Sequence, residues 1–459
     1  MKETLLLQME WEERLGQYKA LIRQAFARKA SVLLLVPTNF DLEKVKKEVS
    51  KGIEEFVFTL EERVKAAKEK HPILFISTPA GLLFERKDLG TYIVERENSR
   101  AYRTLARPYI DFRVVVETVA KETGRQLVLG DSVLSIENLW RERSGQYGEN
   151  SLIRWRLVGA PTTLVDVRHI GEYFQIISKE LKDFVAKALG ENQKIFLYGA
   201  RKGLFPTTVC GDCGTMLPCL NCGAPVVLHQ RSDLKDTQGR TLYVCHSCGN
   251  KRESNIKCGH CGSWKLVPLG IGTEEIAWQV KLLYPEKSVA ILDSEHRKPA
   301  KNWDILVGTE KAFFHLQSIP YSAIVSADAL FSVPDFAVHE RIFYLVSRLR
   351  EMTERECLIQ TRNIGKQILG WVTSGNIIDF YNSEIALRDS FAYPPFSIFI
   401  KIIGEKIPAE LFLKWQPEQY KNSLIIRLKR ESWPDKELSY QLSLLPPQFM
   451  VKVDPETIL

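Results

Sequence analysis

Eight of the chain's nine cysteines fall in four Cys-x-x-Cys pairs inside 52 residues: Cys210/Cys213, Cys219/Cys222, Cys245/Cys248 and Cys258/Cys261. A Cys-x-x-Cys on a tight turn aims both sulfurs at one tetrahedral ion, and zinc takes four such thiolates. Two structural zinc sites are therefore expected. The same cysteines as disulfides would require an oxidising compartment and a small secreted scaffold. This chain has 459 residues, with no signal-peptide pattern and no apolar run of membrane length. The ninth cysteine, Cys357, lies in an apolar run and reads as a small buried hydrophobe.

The length suits about three domains, each with its own core. A net charge of +7 permits a nucleic-acid partner, although a solvated basic surface gives the same balance. No solenoid repeat and no low-complexity tract is present, and a cytoplasmic location without a membrane partner is expected.

Short β-branched or aliphatic runs recur at residues 31–37, 72–77, 91–95, 126–130, 164–167, 194–198, 289–293, 304–307, 324–327 and 357–361. Helical stretches separate them, among them residues 41–53 and the amphipathic run 170–189. Continuous apolar strands alternating with helices indicate buried parallel sheets. About five strands precede Trp155 and about five follow it, which predicts two α/β lobes. The cysteine block interrupts the second lobe between Ala200 and Leu269, and past about Tyr381 the pattern changes to a smaller α+β unit.

The cysteine block and its flanks, Arg201-Lys202-Gly203 before it and Gly270-x-Gly272-Thr273-Glu274 after it, resemble the PriA family of primosomal replication-restart helicases. Further likenesses are Val165-Asp166-Val167-Arg168, Val307-Gly308-Thr309, Asp328, Pro334-Asp335-Phe336, Glu340-Arg341, Tyr393-Pro394-Pro395-Phe396 and Val453-Asp454-Pro455. The resemblance implies two RecA-like lobes with parallel sheets flanked by helices, a two-zinc insertion in lobe two and a small α+β C-terminal domain. The implied boundaries are 1–155 for a degenerate lobe one, 156–380 for lobe two with the insertion at 206–268, and 381–459 for the C-terminal domain. It begins at the family's first helicase motif, so the family's N-terminal DNA-binding and winged-helix domains are not expected in this chain. The family's nested pairing implies one zinc on Cys210, Cys213, Cys258 and Cys261 and a second on Cys219, Cys222, Cys245 and Cys248. Spacing alone leaves a consecutive pairing open.

A nucleotide-driven motor of this type needs a glycine-rich phosphate loop with a Lys and a Ser/Thr, and no G-x-x-x-x-G-K-[ST] occurs in the chain. The family's loop falls on residues 8–15 (QMEWEERL), with Arg14 at the lysine position, Leu15 at the hydroxyl position, and Glu10, Glu12 and Glu13 nearby. Each such carboxylate costs a bound phosphate about 1 kcal/mol even at water-like screening. The magnesium-binding Asp-Glu-Glu-His falls on Glu95-Arg96-Glu97-Asn98, where Arg96 is expected to compete with a metal for Glu95. A Gly-Ser-Ala-Thr coupling loop falls on Gly130-Asp131-Ser132-Val133, and the arginine-rich motif on residues 348–355 (RLREMTER), with Met352 at the first arginine-finger position.

The implied function is a replication-restart protein that binds single-stranded or forked DNA and helps assemble the primosome without helicase activity. ATP is not an expected cofactor. The resemblance implies primosome components, a replicative helicase loader and single-strand-binding protein as partners, and a nucleoid-associated location. Two alternatives stand beside it: an active ATP-dependent 3′–5′ DNA helicase with a divergent nucleotide site, and a zinc-ribbon adaptor with no role at forks. Residues 200–270 carry nine Lys/Arg against four acids, and Arg201, Lys202, Lys251, Arg252 and Lys257 are the candidate DNA contacts. Tyr243 and Trp264 suit either base stacking or the core of a small zinc module, and core is the expectation for Trp264. His229, His246 and His260 read as bystanders, because eight thiolates complete two sites.

Overall fold

The computed structural model describes residues 4–104, 106–148, 151–167, 176–199, 207–220, 226–229, 242–244, 250–253, 255–269, 272–293, 296, 302–331, 335–420 and 422–455. The chain divides into two compact units, one made of Met1–Leu157 with Ile377–Ile458 and the other of Val158–Asn376.

The first unit opens with β1 (Thr4–Gln8), α1 (Trp11–Ala27), β2 (Ser31–Leu35), α2 (Asn39–Val49), β3 (Val57–Thr59), α3 (Arg63–Lys68) and β4 (Leu74–Ser77). It continues with β5 (Leu89–Glu95), α4 (Phe112–Thr123), β6 (Gln126–Asp131), α5 (Ile136–Arg143) and β7 (Leu152–Ile153). The seven strands form one sheet in the order β3-β4-β2-β5-β6-β1-β7, every neighbouring pair parallel. β2 and β4 are buried at every position, so they read as unbroken apolar runs. On one face Leu33, Leu35, Phe75 and Leu127 pack with Val116 and Ala120 of α4. On the other, Val32, Leu34, Ile76 and Val128 pack with Tyr18 and Ile22 of α1 and Val45 of α2. β1 and the short edge strands β3 and β7 add to the strands expected from the sequence.

In the second unit β8 (Thr162–Asp166), α6 (Lys179–Gly190) and β9 (Ile195–Tyr198) lead into a small all-β excursion. The excursion comprises β10 (Thr207–Cys210), β11 (Val227–His229), β12 (Leu242–Val244), β13 (Lys251–Glu253) and β14 (Leu266–Leu269). Then follow α7 (Thr273–Leu283), β15 (Val289–Leu292), β16 (Ile305–Gly308), α8 (Ala312–His315) and β17 (Ile319–Ile324). α9 (Asp328–Phe331), α10 (Val338–Met352), β18 (Thr353–Thr361) and α11 (Gln367–Ser374) complete the unit. Six strands form a parallel sheet in the order β15-β16-β9-β17-β18-β8. The helix expected at 170–189 is α6, whose N-cap Ser178 accepts from the Leu181 amide; residues 168–175 lie outside the described ones. Cys357 on β18 is 1% exposed, and burial pushes its thiol up to about 11, in keeping with a packing role.

The chain returns to the first unit through α12 (Ile377–Ser390), β19 (Ser397–Ile403), β20 (Glu418–Tyr420), β21 (Ser423–Lys429), α13 (Lys436–Ser443) and β22 (Met450–Val453). The four strands are antiparallel in the order β20-β21-β19-β22, with Ile398, Ile400, Ile402, Phe412, Leu424, Ile426 and Leu438 as their own core. This α/β class, with a cysteine-rich excursion in the second parallel sheet and a small α+β C-terminal part, is the one the sequence indicated. Among the described residues no helix is long and apolar enough to cross a membrane.

Arg430 ties the C-terminal sheet to the parallel sheet of the same unit. Its guanidinium lies 3.3 Å from Glu137 of α5, 3.5 Å from Asp454 and 5.9 Å from the centre of the Trp140 ring, while Trp140 meets Phe396 edge-on at 5.6 Å. Removing Arg430 would take a cation from Asp454, while Glu137 keeps Arg141 at 2.6 Å. Arg430→Ala is expected to cost roughly 2–3 kcal/mol, because the site is not fully buried. Urea unfolding followed by circular dichroism measures it, and an unchanged midpoint would contradict the role of this seam.

Candidate metal centre and candidate phosphate site

Two turns of the same design bring the outer cysteines together. In the first, the Cys210 amide donates to the Thr215 carbonyl (2.8 Å) and the Gly214 amide to the Cys210 carbonyl (2.9 Å). In the second, the Cys258 amide donates to the Ser263 carbonyl (2.8 Å) and the Gly262 amide to the Cys258 carbonyl (2.9 Å). Gly214 and Gly262 take φ of 68° and 73°, a left-handed conformation that a side chain would strain. β10 and β14 pair antiparallel, with Cys210 opposite Leu266, and so set one turn beside the other.

The Sγ atoms of Cys210, Cys213, Cys258 and Cys261 all lie within 4.8 Å of one another. Cys210–Cys261 and Cys213–Cys258 are 3.5 and 3.6 Å apart. Tetrahedral thiolates on 2.3 Å bonds stand about 3.8 Å apart, so this donor set fits a zinc ion. The His260 amide also donates to Cys258 Sγ (3.4 Å), the kind of contact that orients a thiolate ligand.

Of the inner set, Cys219 is buried beside Leu217, Val226 and Tyr243. Cys222, Cys245 and Cys248 lie outside the described residues, as do Arg201, Lys202 and His246 and the side chain of His229. Lys251 is exposed on β13. Its neighbour Arg252 donates to the Pro218 carbonyl (3.0 Å) and lies 6.0 Å over the Tyr243 ring, so part of its guanidinium braces the insertion. Lys257 is exposed, with Nζ 4.9 Å from the centre of the Trp264 ring. The expectation of Trp264 as a core residue is overturned: it is 59% exposed, whereas Tyr243 is 2% exposed. The insertion's small core is already filled by Leu217, Val226 and Tyr243, with Ile256 and Leu266 against them.

At the phosphate-loop position only Met9 and Glu10 connect β1 to α1. Arg14 and Tyr18 stand one helical turn apart, so both face the sheet. Arg14 is 1% exposed, and its guanidinium forks onto Glu95 at the end of β5: Nε donates to Oε2 (2.8 Å) and Nη2 to Oε1 (2.7 Å). Nη1 donates to the Met9 carbonyl, and the Tyr18 hydroxyl donates to Glu95 Oε2 (2.7 Å). Both carboxylate oxygens of Glu95 are thereby occupied. Burial alone would lower the Arg14 pKa, but Glu95 holds it well above its usual value; burial and Glu95 together push up that of Tyr18. Gly130 on β6 makes room for the cluster, because a Cβ there would overlap the Tyr18 hydroxyl and stand 2.9 Å from Arg14 Cδ.

The neighbouring motif positions are also bound up in the fold. Arg96 does not compete at Glu95 as expected. At φ 55° it turns away to Asp41 of α2, 2.7 Å distant, and leaves Glu95 to Arg14. Glu97 accepts from the Ser135 amide (2.5 Å), the Ser135 hydroxyl (3.1 Å) and Asn138 Nδ2 (2.6 Å), and burial pushes its carboxyl up to about 7. The Asn98 amide donates to Asp131 Oδ2 (3.1 Å). In the second unit Arg350 is buried and donates to Thr162 Oγ1 (3.0 Å) and the Val372 carbonyl (2.5 Å), while Arg348 pairs with Glu351 and Arg355 with Glu191. Gly308 admits no Cβ, which would stand 2.6 Å from the Leu292 carbonyl oxygen. Sequence reasoning singled out Arg14 and Glu95 separately. It missed Tyr18, whose only signal is its i+4 spacing from Arg14.

Two stability measurements check this description. Arg14→Ala should destabilise the first unit by about 3–5 kcal/mol, since it strands a buried carboxylate, and chemical denaturation would expose a smaller loss. Glu97 has a folded pKa of about 7 above a reference of 4.5, so the stability it contributes is complete below pH 4.5 and fades as pH rises through 7. Glu97→Gln should flatten that pH dependence in thermal melts between pH 5 and pH 8, and an unchanged slope would refute the assignment.

No family model matches the chain. Replication restart proteins PriA from Haemophilus influenzae, Thermotoga maritima and Treponema pallidum are each 25% identical to it, over 355, 437 and 335 residues. The matches cover 72%, 86% and 69% of this chain and 47%, 58% and 50% of those relatives. The chain thus spans about half the length of the curated relatives it matches. Similar solved structures include RecG bound to a three-way DNA junction, with a TM-score of 0.46 and 10% identity over 84% of this chain and 44% of that one. Saccharomyces cerevisiae Dbp5 bound to RNA and ADP BeF3 gives 0.43 and 11% over 84% and 89%. By sequence the chain is similar to replication restart proteins PriA over 69–86% of its own length.

Proposed function

We propose that the chain is a PriA-like replication-restart protein that binds single-stranded or forked DNA and helps assemble the primosome without turning over ATP. The observation that carries the loss of turnover is the Arg14–Tyr18–Glu95 cluster. A nucleotide and its Mg²⁺ would have to displace a buried guanidinium from both oxygens of Glu95 and open a two-residue connection that contains no glycine. The sequence matches to replication restart proteins support the DNA role.

In this reading residues 1–155 and 156–380 are the two helicase-like lobes, 206–268 the zinc-binding insertion and 381–459 the C-terminal domain. Cys210, Cys213, Cys258 and Cys261 hold one zinc; Cys219, Cys222, Cys245 and Cys248 hold the second. Four thiolates leave no open coordination position, so bound zinc supplies folding energy rather than a catalytic water. Lys251 and Lys257, with Arg201, Lys202 and part of Arg252, meet phosphates. The partners are primosome components, a helicase loader and single-strand-binding protein, in a nucleoid-associated cytoplasmic setting.

Purified protein should show no ATP hydrolysis above background, with or without forked DNA. Stimulated turnover that disappears in Glu95→Ala would instead establish the divergent-helicase alternative. Elemental analysis should return two zinc equivalents, and Cys258→Ser should release one of them and loosen the β10–β14 ladder. One equivalent or none in the unmodified protein contradicts the two-site assignment. Forked and single-stranded DNA should bind at about micromolar Kd or weaker, with steep loss as salt rises. If neither binds at low salt, the adaptor alternative takes over.

A further inference from the structure

Trp264 follows the second cysteine turn and precedes β14, and its backbone is fixed on both sides. The Leu266 amide donates to the Trp264 carbonyl (2.9 Å), and the Gly211 amide of the first turn donates to the Lys265 carbonyl (2.6 Å). The Lys265 amide donates to Ser263 Oγ (3.0 Å), and that hydroxyl donates to Asp212 of the first turn (2.6 Å). The backbone of Trp264 is therefore fixed by a frame that spans both cysteine turns, and the residue is 59% exposed. It presents a flat ring to solvent from a fixed backbone.

The surroundings indicate what suits that ring. Lys257, the residue before Cys258, sets its ammonium 4.9 Å from the centre of the ring. Among the described residues of the insertion the cations are Lys251, Arg252, Lys257 and Lys265 and the acids only Asp212 and Glu253. Asp212 is engaged by Ser263 and lies 3.6 Å from Lys265. An apolar protein partner would have to bury the Lys257 ammonium against the ring, whereas a polyanion with flat bases satisfies both groups. Bases stack on exposed aromatic rings whatever their sequence, and neighbouring lysines take the phosphates.

We propose that Trp264 and Lys257 form a stacking platform for single-stranded DNA, one base lying on the indole and an adjacent phosphate meeting the lysine. The inference rests on the DNA-binding reading above and names the residue that contacts a base.

The test is binding of the full zinc-loaded chain to a labelled oligothymidine of about 15 nucleotides, measured by fluorescence anisotropy, with variants compared at equal zinc content. Trp264→Ala should weaken binding about tenfold and Trp264→Phe much less, since stacking needs only a flat ring. On an abasic strand of the same length the wild type and Trp264→Ala should bind equally. Lys257→Gln should lower the slope of log affinity against log salt by about one. Equal affinity of Trp264→Ala and wild type for oligothymidine overturns the platform while leaving the DNA-binding reading intact. So does a Phe variant as impaired as the Ala variant. A wild type that binds no oligonucleotide at low salt overturns the DNA-binding reading itself.

Discussion

The fork of Arg14 onto Glu95 is the contact on which the first parallel sheet turns. It joins the first helix to the end of β5, with Tyr18 as a second donor and Gly130 of β6 as the gap that admits both. Three elements far apart in sequence are thus constrained at one point. A buried ion pair gains little over a well-packed apolar substitute, because desolvation offsets the attraction. Its effect is on arrangement: separating α1 from the end of β5 would leave a charge unmatched in the interior. The same argument explains why Arg96, one residue along, must point elsewhere. Two guanidinium groups at one carboxylate would leave one unmatched, and the turn at φ 55° delivers Arg96 to Asp41 instead.

The cysteine insertion has a much smaller apolar core than either parallel sheet. The described part of its core is four buried residues, Leu217, Cys219, Val226 and Tyr243, with Ile256 and Leu266 packed on them. A core of these residues alone contributes little apolar burial against the entropy of ordering the chain. An ion on Cys210, Cys213, Cys258 and Cys261 would offset that cost, because ion binding and folding would then be one equilibrium.

How much of this was legible in the chain depends on range. Most buried strands of both parallel sheets were readable because residues such as 32–35 and 74–76 are apolar on both faces and carry their signal locally, whereas β1 was missed and β17 was placed a few residues too late. β3 and β7 were not, since strands of three and two residues at a sheet edge show no period. The four Cys-x-x-Cys turns were readable as turns, while the proximity of residues 210–213 to 258–261 rests on the antiparallel pairing of β10 with β14, a contact across more than 50 residues. Arg14 was visible as a charge in a predicted phosphate position. That it is 1% exposed and paired with a residue 81 positions away was not, because one charged residue in a helix start usually faces water. Trp264 failed for the opposite reason: a tryptophan beside two Cys-x-x-Cys turns is more often buried, and nothing in its local sequence marks it as exposed.

The two kinds of position also differ in what they tolerate. Glu95 ends β5, Gln8 ends β1 and Asp131 ends β6, so the residues that would face a nucleotide stand at the C-terminal edge of the parallel strands, where ligands of open α/β sheets bind. Core strands such as β2 cannot exchange an apolar residue for a charge without a cost of several kcal/mol. Edge positions can, provided each new charge finds a partner. At this edge Arg14 has Glu95, Arg96 has Asp41, Glu97 has Ser135 and Asn138, and Asp131 accepts from the Ser132 and Asn98 amides. Each of these charges thus has a partner within the fold, so the edge accommodates them without disturbing the apolar strands behind it.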